Sequence, residues 1–202
     1  MGNGQEKRAG FSLIEMLTVT VVTGLLAALL LPALSRVRER ARQATCLSHL
    51  RQLGQATMLY YDDQHALPVS RTSGYLVWNG ARYQLHGQLL PGAGALRETI
   101  FCPSSPIFPR GAADTGIQNL GVPGQVTASS YYARGTDDGA PVTLGGPPQA
   151  LLADIYFSAT IRNHAGGTHV LLADSSVRWQ PVPADWDLTA SNAWSQLESG
   201  LW

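Results

Sequence analysis

Three side chains in the second half of the chain, Asp154, His164 and Asp174, carry the means for shared chemistry: an imidazole and two carboxylates. They fall at the ends of neighbouring expected strands, so the fold could bring them together. Catalysis there would need a nucleophile or a metal as well. The chain has no nucleophile elbow, P-loop or HExxH pattern, and the ligand spacing of an EF-hand is absent. The simpler expectation is that Asp174 closes its own turn through backbone N–H groups, with His164 satisfied nearby. The two cysteines, Cys46 and Cys102, form no CxxC, and no His/Cys cluster has zinc-ligand spacing. They are candidates for one disulfide in an oxidising compartment, the alternative being two separate buried thiols. The bond would close a long loop and stabilise the fold by about 4 kcal/mol in the chain-entropy account. A last reactive position is Glu15, at the edge of an apolar run where an ionised carboxylate is costly and needs a partner.

That apolar run is the first element to place. No charge occurs from Met16 to Leu34, which at about 1.5 Å per residue is long enough for a hydrocarbon core roughly 30 Å thick. A polar leader, Met1 to Gly10, precedes it with Lys7 and Arg8. A secretory signal is cut after its apolar region, whereas here the small residue, Gly10, comes before it. Gly10-Phe11-Ser12-Leu13-Ile14-Glu15 resembles the class III signal of type IV pilins and type II secretion pseudopilins: glycine, phenylalanine, then an apolar run with Glu at the fifth mature position. Pro32 stands at the twenty-second mature position, where many members of that family carry proline. The resemblance implies cleavage after Gly10 by prepilin peptidase, N-methylation of Phe11, and packing of the helix into a filament. There Glu15 would meet the Phe11 amine of a neighbouring subunit, a register device more than a source of stability. The competing reading is a single anchor with Glu15 at the membrane interface.

The rest of the chain supplies about 140 residues, enough for one modest domain. Net charge is zero but uneven: from Asp62 onward seven Arg face eleven Asp and Glu, which argues against a nucleic-acid-binding face. Arg36, Arg38, Arg40 and Arg42 follow the apolar run. Counted alone they would place that side in the cytoplasm; the leader implies the opposite, and its motif is the more specific signal. They suit a solvated helix face, or contact with lipid headgroups or an acidic neighbour.

Pro32 should kink or loosen the helix. Beyond it Leu34, Val37, Ala41, Ala44, Leu50, Leu53, Thr57 and Tyr60 recur at helical steps, and Ala66-Leu67-Pro68 stops the pattern. Gly74 to Trp78 reads as a strand, Asn79-Gly80 as a hairpin turn with Arg82 to Leu90 returning. Further strands are expected at Ser129–Ala133, Ala150–Phe157, Thr168–Ala173 and Val177–Gln180, irregular loops over 104–125 and 135–148, and a short helix over 191–198. Trp186, Trp194 and Trp202 should dock back on their own domain.

Cys46-Leu47-Ser48-His49-Leu50-Arg51-Gln52-Leu53-Gly54 is similar to the C-x-x-N-L-[KR]-Q-[IL]-G stretch of pseudopilin-like proteins, and Cys102-Pro103-Ser104 to their later C-P-S. In that group a His is followed nine residues on by Asp-Gly; here His164 and Asp174 keep the spacing and Ser175 replaces the glycine. The likeness further implies that Ca²⁺ is conceivable at Asp154, Asp174 and their loops, since related pseudopilins hold calcium in a C-terminal loop; no other cofactor is expected. The expected architecture is α+β and pilin-like: leader 1–10, transmembrane or filament-core helix 11–34, its amphipathic continuation 35–63, and a β-rich outer domain 64–202. The expected role is a structural subunit of a type II secretion pseudopilus or type IV pilus, not an enzyme. It would reside in the bacterial inner membrane with its domain in the periplasm, and meet the inner-membrane assembly machinery and other pilin copies. The rival is a processed, membrane-anchored periplasmic protein that does not polymerise.

Overall fold

The computed structural model describes residues 12–68, 74–92, 97–106, 108, 115–135, 149–155, 162–164, 166–183, 186 and 193–199. Gly10, Phe11, Trp202 and the 135–148 loop apart from Gly135 lie outside them. The fold is α+β in the pilin manner: a long N-terminal helix α1 (Leu13–Gln64) and one antiparallel five-stranded sheet. The chain divides into two compact units, Met1–Arg40 and Ala41–Trp202.

In the first unit α1 begins with a side-chain cap. Glu15 Oε2 accepts the Ser12 N–H at 2.8 Å, half of the reciprocal arrangement that closes helix starts of the form Ser-x-x-Glu. Helical structure continues through Pro32; the proline has no N–H to offer the Ala28 carbonyl. The large apolar side chains from Leu13 to Leu34 are all exposed. This stretch is apolar enough and long enough to cross a membrane.

In the second unit, α1 buries Cys46, Leu50, Leu53, Gly54, Ala56 and Thr57. The expected stripe is therefore real from Cys46 onward, whereas Leu34 and Val37 are exposed. The sheet is a meander, β1 (Gly74–Trp78), β2 (Thr127–Ala133), β3 (Ala150–Asp154), β4 (Gly167–Leu172) and β5 (Val177–Pro181), each strand pairing with the next. Its inner face carries Tyr131, Leu152 and Leu171 against the helix. Its other face carries Ala153, Val170 and Leu172 beneath Trp186, Trp194 and Leu197 of the tail and α3 (Ala193–Ser199). With both faces covered, β3 and β4 are buried at every position, which is why they read as apolar runs rather than alternating patterns.

The expected return strand over Arg82–Leu90 does not form. Asn79 caps the turn through its side chain, Tyr83 makes one bridge to Trp78, and the chain then coils as a 3-10 turn, Leu85–Gln88, and the helical turn α2 (Leu89–Gly92). The coil lies on β1 so closely that a Cβ on Gly87 would stand 2.3 Å from the Val77 carbonyl oxygen. It also buries His86, neither of whose ring nitrogens has a hydrogen-bond partner among the described residues, beside a cavity of about 20 Å³ lined by Thr57, Leu67 and Leu152.

α1 and the sheet meet closely at Gly54. A Cβ there would stand 2.9 Å from Leu171 Cδ1 and 3.3 Å from Ser175 Cβ, and the Ser175 hydroxyl donates to the Gly54 carbonyl at 3.1 Å. Ser175 occupies the left-handed region, φ 63°, in the turn joining β4 to β5. That conformation is the physical requirement a glycine would meet without strain.

Candidate functional site

Beneath α1, at the C-terminal end of β3, the fold gathers a cluster of polar groups inside the apolar core. Cys46 comes from the helix, Cys102 from the turn after Ile100, Tyr131 from β2, Asp154 from the last position of β3, His164 from the connection that follows, and His169 from β4. Cys46, Cys102, Asp154 and His164 are each at most 3% exposed.

Asp154 is the hub. Its Oδ1 accepts from Cys46 Sγ at 2.9 Å and from Asn163 Nδ2 at 3.3 Å. Its Oδ2 accepts the His169 backbone N–H at 3.2 Å and contacts His169 Nδ1 at 2.8 Å, with His164 Nε2 at 3.6 Å. Register explains the convergence. Ala153 pairs with Val170, so Asp154 and His169 are adjacent positions across the β3–β4 pair. The inward side of the pleat that holds Leu152 and Leu171 then also holds these two. Around them, Cys102 Sγ lies 3.4 Å from His164 Nε2 and Cys46 Sγ 3.3 Å from the Tyr131 hydroxyl. The Phe101–Cys102 turn is fastened from two sides, His49 Nδ1 reaching the Phe101 carbonyl at 2.9 Å and the Ser129 hydroxyl donating to the Ile100 carbonyl at 2.8 Å. The His169 ring rests edge-on against Trp179, centroids 4.8 Å apart.

Electrostatics divides the thiols. Burial, the bond to Cys102 and the nearby Asp154 charge push Cys46 well up. Burial also acts to raise Cys102, but the bonds from Cys46 and His164 outweigh it and hold that thiol below its ordinary range. For Asp154, burial acts upward and the His169 bond with the His164 and His169 charges prevails, keeping the carboxyl low.

Cys102, His164 and Asp154 include the residue types of a nucleophilic triad, but not its geometry. A triad places the acid on the ring nitrogen opposite the one that meets the nucleophile. Here the same atom, His164 Nε2, faces both Cys102 and Asp154, and the thiol is 3% exposed.

The expected sites distribute as follows. His164 and Asp154 converge; Asp174 does not join them. Leu172 pairs with Ala150 at the opposite end of β3, and Asp174 lies just beyond it in the exposed turn, where its Oδ1 accepts the Ser176 N–H at 2.9 Å. The carboxylates considered for calcium therefore do not share a site. Cys46 and Cys102, candidates for a disulfide, do meet, as free buried thiols. The sequence holds no His/Cys cluster with local zinc-ligand spacing, and the fold brings Cys46, Cys102, Asp154 and His164 together all the same. The spacing is long-range, across four segments, and no local pattern carries it. His169 and Tyr131 were not singled out from sequence; the only signal for His169 was its place at the start of a buried strand.

Among known proteins, residues 6–31 match the prokaryotic N-terminal methylation motif. No curated protein and no solved structure matches the chain. The motif and the exposed apolar helix support a membrane-anchored, pilin-like protein processed by prepilin peptidase.

Proposed function

We propose that this chain is a structural subunit that is cut after Gly10, methylated on Phe11, and drawn from the bacterial inner membrane into a type II secretion pseudopilus or type IV pilus. The observation that carries this reading is the methylation motif at residues 6–31 continuing into a helix whose apolar side chains have no cover among the described residues. Lipid covers such a surface before assembly, and the same helices of neighbouring copies or other pilins cover it afterwards. The domain Ala41–Trp202 stays on the periplasmic side and is what the subunit presents to partners. The assembly machinery acts on the subunit; the subunit performs no reaction.

Two measurements test it. Intact mass of the membrane-extracted chain should show a mature form beginning at methylated Phe11, lost in Gly10→Val; a chain still beginning near Met1 sinks the reading. Glu15→Leu should insert and be cleaved yet give much less cross-linked multimer in cells that carry the assembly machinery. Within one chain Glu15 only caps Ser12, worth about 1 kcal/mol, which is too little to abolish the helix. Full assembly of that variant removes the docking role. Normal cleavage with no multimer of the unmodified chain establishes the rival, a processed anchor that does not polymerise.

A further inference from the structure

The cluster under α1 has the composition of a metal centre. Two thiols, a carboxylate and an imidazole converge with their donor atoms all within 4.8 Å of one another. Tetrahedral zinc with bonds of about 2.0 Å to N or O and about 2.3 Å to S separates its ligands by about 3.3–3.8 Å. Here Cys102 Sγ and His164 Nε2 are 3.4 Å apart, His164 Nε2 and Asp154 Oδ2 3.6 Å, and Cys46 Sγ and Asp154 Oδ1 2.9 Å. The first two gaps match those of a loaded site, and the third is shorter and made by the other Asp154 oxygen. With one donor atom per residue none of the separations exceeds 4.8 Å, so shifts within the cluster bring the four donors onto one ion.

We infer that Cys46, Cys102, Asp154 and His164 bind one structural divalent transition-metal ion, with Zn²⁺ the best match. Thiolate and imidazole donors favour zinc over the hard cations, and four protein ligands with no open position make a structural rather than a catalytic site. Ca²⁺ takes six to eight oxygen ligands at longer range and finds one carboxylate here. Binding replaces two S–H protons with two metal–sulfur bonds, so two protons leave for each ion bound and no electron moves. His169 is a positioning residue. Its backbone N–H and Nδ1 engage Asp154 Oδ2, the outer bond that commonly orients a ligating carboxylate.

The test uses the full chain in mild detergent, thiols kept reduced, titrated with Co²⁺ and Zn²⁺. One Co²⁺ per chain should bind with the charge-transfer absorption of thiolate ligation, Zn²⁺ should displace it, and a large excess of Ca²⁺ should not. Cys102→Ser and His164→Gln should lose more than tenfold in affinity, whereas His65→Gln, at an exposed position, should lose nothing. His169→Gln should weaken Zn²⁺ by about ten- to a hundredfold while the sulfur–cobalt band keeps its position, which a merely structural defect would not do. Because a substitution in a buried cluster can also unfold the chain, the decision rests on the unmodified chain. Two free thiols that give no thiolate–cobalt band overturn the proposal. So does mature chain recovered from the cell envelope with a Cys46–Cys102 cystine and no metal. Neither result bears on cleavage at Gly10.

Discussion

Ser175 shows how one residue can carry a local and a long-range duty. It sits at φ 63°, where a side chain strains the backbone, and its hydroxyl ties the turn to the helix at Gly54. The two effects separate by substitution. Ser175→Ala keeps the strain and drops the bond; Ser175→Gly drops both. The glycine variant should therefore be the more stable of the two by about 1 kcal/mol in chemical unfolding. Equal stabilities would mean that the turn is not strained. At this scale the sequence was legible where chemistry is local. Asp174 in its turn was readable from Asp-Ser-Ser, and Glu15 stood out by its surroundings. The cluster of Cys46, Cys102, Asp154 and His164 was not, because its members lie up to 118 positions apart and only the pleat direction of β3 and β4 decides that they face one another.

Among the elements, α1 and the β4–β5 hairpin are joined at Gly54 and Ser175. Gly54 leaves room for Leu171 and Ser175, and overpacking such a seam costs about 1–3 kcal/mol. Gly54→Leu should lower the unfolding free energy by about that amount, seen as a lower denaturant midpoint, although leucine is the better helix former by roughly 1 kcal/mol; a midpoint at or above that of the parent would show that helix and sheet are less close than they stand here. Elements of one period were readable in advance. The helix was, from its apolar run and its proline-marked end, and so were the strands flanking short turns. The return strand after Asn79-Gly80 was not. A hairpin signal fixes the turn, but Gly87 can lie directly on the Val77 backbone, and tertiary contact there overrides strand propensity.

For the molecule as a whole, acid should be the weak side. His86 is fully buried, and desolvation lowers its pKa from 6.5 to about 3. The folded chain keeps this ring neutral while the unfolded chain protonates it below pH 6.5, so the unfolded state binds more protons and stability falls as pH drops through that window. The loss attributable to His86 is on the order of 3 kcal/mol by pH 4. His86→Leu also removes two buried ring nitrogens without partners among the described residues. Measured by chemical unfolding of chelator-treated protein, it should match or exceed the parent at pH 7 and lose markedly less between pH 6.5 and 4. Parallel pH profiles for the two would refute the assignment.

The pairing order of the sheet has a consequence for how the chain is made. Each strand pairs with its successor, so the meander can grow as synthesis proceeds. The helix is different. Cys46 waits for Asp154, 108 positions later, and Gly54 for Ser175, 121 positions later. The first element to leave the ribosome thus gains some of its partners, such as the Phe101 carbonyl, midway through synthesis and others only near the end, and every shorter nascent chain shows part of its apolar helix face uncovered. A ribosome stall before β4, or loss of the last two strands by truncation, would leave the part of that face around Gly54 without Leu171 and Ser175, and such fragments should be cleared by envelope proteases while the complete chain persists.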